Sequence, residues 1–176
     1  MTMIGKLFSL ATVGLAVAGS LLFSSGSGAA ELELGAALPD VSVPDQDGKA
    51  VRLSEAGAKG FTLVYFYPKA DTPGCTKQAC SLRDAYAQLG DQGVRVFGVS
   101  TDDVAAQKAF QTKYRLPFEL LADADKKVTA AFGVPTTAGY AKRQAFLFKD
   151  GKLVWRDLAA STEKQAADVL EAIKTL

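Results

Sequence analysis

The sequence contains no histidine, which removes the commonest general base and the commonest metal ligand together. Any catalysis must therefore rest on other side chains, and no metal or organic cofactor is expected. There is also no excess of charge of either sign. Twenty Lys and Arg stand against nineteen Asp and Glu, for a net charge of +1. That balance, with no basic run along the chain, supplies no general pull toward nucleic acid or an anionic membrane. Methionine is limited to Met1 and Met3. The chain has 176 residues, 48% of them apolar and 22% charged, an ordinary globular composition sufficient for one domain but not comfortably for two.

What is present begins with a targeting signature. Lys6 is the only charge before Glu31, Leu7 to Phe23 is an apolar run, and small residues follow from Ser24 to Ala30. A basic start, an apolar middle and a small-residue end read as a secretory signal peptide, with cleavage after Ala30 or Ala29. The alternative is an uncleaved anchor, because the seventeen uncharged residues of the run are just long enough to span a bilayer. No cysteine closes the run, which argues against a lipid anchor. Cleavage would remove both methionines and leave no thioether to oxidise. The expected product is an exported protein of a periplasm or lumen, with no stable membrane association once the signal is gone.

From residue 31 to 176 there are no repeats, no low-complexity linker and no composition shift, so one domain is expected. Asp40 to Val43 and Lys49 to Leu53 read as strands joined through Asp47-Gly48, a hairpin signal. Phe61 to Tyr67 is almost continuously apolar and aromatic, as a strand buried on both faces should be, and Pro68 ends it. Cys75 to Leu89 carries Ala79, Leu82, Tyr86 and Leu89 at helical spacing, with Gly90 as a stop. Val94 to Ser100 repeats the strand signal, and Asp102 is placed to cap a helix running to Tyr114. A strand over Phe118 to Leu121 and a short helix over Asp125 to Phe132 follow. Gln144 to Phe148 and Lys152 to Trp155 form a second hairpin through Asp150-Gly151. Thr162 and Gln165, at capping-box spacing, open a last helix to Leu176. This order predicts an α/β domain of thioredoxin-like fold, a mixed central sheet flanked by helices on both faces. Sites in such sheets form at the carboxyl ends of strands, which directs attention to the segment after Tyr67. Both cysteines lie there.

A structural disulfide is the ordinary reading of two cysteines in an exported chain. Cys75 and Cys80, however, are five residues apart in a helical segment. Five residues advance a helix by about 7.5 Å and rotate it by roughly 140°. Their Cα atoms then sit about 8–9 Å apart, beyond the roughly 4.4–6.8 Å that a disulfide spans. Bonding requires the first turns to unwind, which suits a switchable disulfide better than a structural one. Cys75 begins the helix, where unpaired N–H groups and the macrodipole favour an anion; Cys80 lies deeper. The asymmetry makes Cys75 the attacking thiol and Cys80 the resolving one.

The run Pro68-Lys69-Ala70-Asp71-Thr72-Pro73-Gly74-Cys75 resembles the peroxiredoxin signature. Tyr65 through Thr76, with Cys80 downstream, is similar to the bacterioferritin comigratory protein or peroxiredoxin Q branch of that family. Arg143-Gln144-Ala145-Phe146-Leu147-Phe148 looks like its Arg-led strand, and the similarity extends over essentially the whole chain after the signal. The resemblance implies a role for each matching residue. Cys75 is the peroxidatic thiolate, passing through sulfenic acid, and Cys80 closes an intramolecular disulfide. Thr72 hydrogen-bonds the peroxide oxygen and the thiolate, Pro68 shields the sulfur from bulk water, and Arg143 holds positive charge beside it. The backbone N–H groups of Gly74 and Cys75 complete the donors that meet developing charge. The implied partners are a hydrogen peroxide or organic hydroperoxide substrate and thioredoxin or a similar dithiol reductant. Branch members are often monomers, and a monomer is expected.

Taken singly, these residues have plainer readings. Pro68 ends a strand, Thr72 is a loop hydroxyl, and Arg143, Lys69, Lys77 and Arg83 are solvated charges, the last two adding modestly to the local field. Two other functions compete. A thioredoxin-like disulfide oxidoreductase uses two cysteines separated by two residues, not four. A metal-binding module of the same fold would find only two soft protein ligands here.

Overall fold

A computed structural model describes residues 30–176; the N-terminal run read as an export signal lies outside the described residues. The sheet is built around β3 (Phe61–Phe66), whose neighbours are β4 (Val94–Ser100) on one side and β8 (Gln144–Lys149) on the other. β5 (Glu119–Ala122) and β9 (Lys152–Asp157) form the edges, giving the order β5-β4-β3-β8-β9. β3, β4 and β5 run parallel, while β8 is antiparallel to both β3 and β9. The mixed sheet expected from the sequence is therefore present.

Both faces of the central strand are covered, which is why Phe61 to Tyr67 lacks polar alternation. Leu63, Tyr65 and Tyr67 enter one apolar cluster and Val64 and Phe66 the other, as the two-residue period of a strand requires. The first cluster takes side chains from α2 (Pro73–Asp84), α3 (Tyr86–Asp91), α4 (Val104–Tyr114) and α6 (Gln165–Lys174). The second takes Leu53 from α1 (Leu53–Ala56) and Val128 from α5 (Lys127–Ala131). Two short hairpins lie outside the five-stranded sheet, the first bridged to β5 through Asp45 and Leu121. One pairs β1 (Ser42–Pro44) with β2 (Ala50–Arg52), and the other pairs β6 (Thr136–Thr137) with β7 (Tyr140–Ala141). Among the described residues no helix is long and apolar enough to cross a membrane.

Several boundaries differ from the sequence expectation, each for a local reason. The helix expected over Cys75 to Leu89 starts two residues earlier, at Pro73, and is broken at Ala85, where φ is −95° and ψ is 6°. The break lets Tyr86 pack its ring 5.9 Å from that of Phe118 while Leu89 is fully buried. Gly90 sits inside α3 rather than stopping it, and the turn that follows uses Gly93 at φ +70°. Helix α4 is capped by Asp103, not Asp102: the Asp103 carboxylate accepts the Ala106 N–H at 2.8 Å. Helix α5 begins two residues later than expected, because Asp123 holds the N–H groups of Val128 and Thr129. Thr162 does not cap α6. Ser161 Oγ accepts from the N–H groups of Glu163 and Lys164, and the helix starts at Gln165. The β6–β7 hairpin and α1 have no strong signal in the sequence. Only Gly139, at φ +87° after Ala138 at +50°, marks the tight turn of the former.

Candidate active site

At the carboxyl end of β3 the chain leaves the sheet through Pro68, passes Asp71 in the left-handed region at φ 57°, and enters α2 at Pro73. Proline at the first helical position loses nothing, since its missing N–H would have had no intrahelical acceptor. Thr72 precedes it in extended conformation as the cap residue. Thr76 N–H to Thr72 C=O, at 2.8 Å, ties the first turn of α2 to that residue. Cys75 is thus the third residue of the helix, inside the turn whose N–H groups lack acceptors in the helix. Its side chain is only 2% exposed.

Arg143 comes to the sulfur from the neighbouring strand. It lies immediately before β8, whose antiparallel pairing sets Gln144 opposite Phe66 at the end of β3. The guanidinium Nη2 donates to Cys75 Sγ at 3.4 Å, and Nη1 donates to Gln78 Oε1. Among the described residues no carboxylate pairs with Arg143, so its charge faces the sulfur undiminished. The approach depends on Gly74. A Cβ there would stand 3.3 Å from Arg143 Nη2 and 3.5 Å from Thr162 Cγ2.

The remaining expected site residues are placed as follows. Pro68 is half-buried at the loop entrance. Thr72 directs its hydroxyl to Lys69 C=O at 3.0 Å, closing the loop on itself; a bond from this hydroxyl to Cys75 is not among those formed. Cys80 is half-buried and, like Cys75, a free thiol. Both sit in the unbroken helix α2. Lys77 and Arg83 do not add a free positive field. Lys77 pairs with Glu163 at 3.0 Å, and Arg83 pairs with Asp84 while donating to Tyr114 C=O.

Two features of the site carry no sequence motif. The first is a buried amide pair: Gln78 donates to Gln165 Oε1, and both side chains are essentially inaccessible. Gln78 follows Cys75 by three residues and so shares its helix face, a signal that was available. Gln165, on a different helix, gave none. The second is a set of polar ties that fixes the loop. Asp102 accepts the Ala70 N–H and the Ser100 hydroxyl, both at 2.7 Å. Gln107 bonds Ser100 Oγ at 2.9 Å and receives the Tyr67 hydroxyl. Burial pushes the phenols of Tyr65 and Tyr67 up, so Tyr67 stays a proton donor to Gln107. On the outer side of the loop, Asp71 is held by Lys113 at 2.7 Å and by the Tyr114 hydroxyl at 2.6 Å.

Residues 34–156 match the model of the AhpC/TSA family. The chain belongs to the AhpC/TSA family. Within that family it is similar to a chloroplastic peroxiredoxin Q of Triticum aestivum, with 48% identity over 113 residues, or 64% of this chain and 52% of the relative. A putative peroxiredoxin bcp of Coxiella burnetii is 45% identical over 103 residues, covering 58% of this chain and 68% of that protein. The chain spans about half the length of the plant relatives it matches. Among solved structures, peroxidoxin BcpB of Mycobacterium tuberculosis superposes with a TM-score of 0.77 at 33% identity, over 83% of this chain and 99% of its own. The bacterioferritin comigratory protein of Xanthomonas campestris gives 0.74 at 29% identity, over 82% and 96%. The mixed sheet with helices on both faces is accordingly the thioredoxin-like fold of AhpC/TSA proteins, and the resemblance to the peroxiredoxin Q and bcp branch holds across sequence and structure.

Proposed function

We propose that this chain is a thiol-dependent peroxidase that reduces hydrogen peroxide and organic hydroperoxides through Cys75. The observation that carries the reading is the Arg143 guanidinium at 3.4 Å from a cysteine sulfur set in the first turn of a helix. The thiolate attacks one peroxide oxygen; the S–O bond forms as the O–O bond breaks. The departing alkoxide or hydroxide takes up a proton, sulfur is oxidised to sulfenic acid, and the peroxide is reduced to alcohol or water. Negative charge spreads over sulfur and both oxygens. Arg143, the free N–H groups of the first turn and the Thr72 hydroxyl, once turned from Lys69, are the donors available to meet it. No histidine base is required when the nucleophile is already ionised.

Cys80 then attacks the Cys75 sulfenic acid, water leaves, and an intramolecular disulfide closes. Because both cysteines lie in α2, that step requires the start of the helix to unwind. An external dithiol, thioredoxin or a protein like it, returns both thiols. Pro68 at the loop entrance limits access of water and a second peroxide to the sulfur. The Xanthomonas campestris relative has been studied for alkyl peroxide reduction, which supports organic hydroperoxides as substrates. The protein acts as a monomer in this reading.

We place it outside the cytoplasm, exported by residues 1–30. The plant relatives are chloroplastic, but an uncharged apolar run preceded by the single charge Lys6, with no arginine before Arg52, is unlike the amphipathic, Arg-rich make-up of a transit peptide. N-terminal sequencing of the protein recovered from its native membrane-bounded compartment tests this; a start at Met1 refutes cleavage. The activity is tested by peroxide consumption with dithiothreitol and by mass spectrometry for a Cys75–Cys80 disulfide. Turnover that survives in Cys75→Ser refutes the assignment.

A further inference from the structure

A guanidinium can only donate hydrogen bonds, and that sets the orientation of two buried amides behind Arg143. Gln78 must turn its carbonyl oxygen to Arg143 Nη1. Its NH2 group then faces away and needs an acceptor, which is Gln165 Oε1. Gln165 in turn must present its oxygen, and its own Nε2 is left buried with no partner. The sequence of contacts runs from Cys75 through Arg143 and Gln78 to the first residue of the C-terminal helix.

We propose that Gln165 is a positioning residue for Arg143, acting through Gln78; the proposal rests on the thiol-peroxidase reading of the site. Two observations carry it. Gln165 is 1% exposed, and an orphaned donor at such depth destabilises the fold. A methionine or leucine would fill the space without that orphan but would leave the buried Gln78 NH2 without a partner, so what the glutamine supplies is its acceptor oxygen. The second observation is charge. A carboxylate beside Arg143 would orient it equally well but would neutralise it, whereas an amide fixes the guanidinium plane and leaves the full cation facing the sulfur. With the amide pair in place, Nη1 is anchored and Nη2 is aimed at Cys75. Without the oxygen of Gln165, the Gln78 NH2 loses its buried acceptor and the amide is held only by its bond from Arg143 Nη1, so the anchor loosens.

The test is a double-mutant cycle on Gln165→Met and Gln78→Met, read by thermal melting, by iodoacetamide alkylation of Cys75, and by stopped-flow reaction with hydrogen peroxide. Gln165→Met removes the orphaned donor but also the acceptor, leaving Gln78 Nε2 as the buried donor without a partner. One orphaned donor replaces another, so the melting temperature is expected to stay near the parent's, while the peroxide rate constant falls about tenfold or more through misplacement of the donor and alkylation slows with it. A residue that merely supported the fold would move stability and reactivity together. Gln78→Met is expected to lower both rates at least as far, and the double variant no further than Gln78→Met alone. Gln165→Leu, of different shape, must show the same loss. Wild-type rates in both Gln165 variants, or losses that multiply in the double variant, overturn the proposal. If the parent protein alkylates at Cys75 but consumes no peroxide, the peroxidase reading fails instead, and the alkylation cycle still decides the role of Gln165.

Discussion

Asp102 accepts the backbone N–H of Ala70 at 2.7 Å, so the loop that carries Pro68 and Thr72 is fastened to the end of β4 by a carboxylate. The same oxygen receives the Ser100 hydroxyl, which Gln107 also holds. Replacing Asp102 by Ala leaves a backbone donor and a hydroxyl without their shared acceptor. Loss of a charge-assisted bond of this kind costs about 1.5–3 kcal/mol. Asp102→Ala is expected to melt at lower temperature and to react more slowly with peroxide, both measured on the purified protein. Unchanged melting would show that the tie is not formed in solution.

Arg143→Lys keeps the positive charge but cannot serve Cys75 and Gln78 with two fixed N–H groups. By analogy with removal of one preorganised donor, a fall of about a hundredfold or more in the rate of Cys75 oxidation is expected, with little change in melting temperature. A stopped-flow rate within threefold of the parent would mean that charge alone suffices.

Gly74→Ala separates stability from chemistry. Alanine in place of a helical glycine ordinarily stabilises by about 0.5–1 kcal/mol. The new Cβ, 3.3 Å from Arg143 Nη2, presses the guanidinium off its line to the sulfur. The expected variant therefore melts no lower than the parent yet reduces peroxide more slowly. A slower variant that also melts lower would point to a general disturbance of the helix start.

The carboxyl of Asp71 is held below the usual carboxylate range by its hydrogen bonds from Lys113 and Tyr114. A group whose folded value is lowered contributes stability that is fully present above its unfolded value, about 3.9, and is lost as pH falls through the folded value. Asp71→Asn is thus expected to melt lower than the parent at pH 5 to 7, and the gap should close on acidification below pH 4. Both partners are substantially exposed, so added salt should narrow the gap as well. A gap that persists unchanged at pH 2 would assign the effect to something other than this ion pair.

Much of this was legible in the sequence. The two-faced strand Phe61 to Tyr67, the helix that carries both cysteines and the Arg143-led strand each announced themselves by a period or a motif. What was not legible depends on distance along the chain. Gln78 and Gln165 are 87 residues apart, and no local pattern tells a buried glutamine from a surface one. Asp102 and Asp103 are equally good caps by type; a one-residue offset decides that the second caps α4 and the first is released to hold Ala70. Thr72 sits where the motif puts it, but the direction of its hydroxyl is set by the carbonyl of Lys69.

Oxidation to a Cys75–Cys80 disulfide is expected to raise amide hydrogen exchange across residues 75–82, measured by mass spectrometry on the dithiol and disulfide forms. Equal protection in the two forms would exclude unwinding of α2 as part of the cycle.

In the proposed cycle, placing both cysteines on one helix also ties the reduction potential of the pair to something other than sulfur chemistry. Forming the bond forfeits the folding free energy of the first turns of α2, and reducing it restores them. Reduction is therefore drawn forward by helix formation, and every 1.4 kcal/mol of stability in those turns makes the disulfide about 30 mV more oxidising. Substitutions that touch neither thiol, such as those of Lys77 on the outer face of α2 or of Glu163, which pairs with it from the segment before α6, become a means of tuning how readily a reductant recharges the protein.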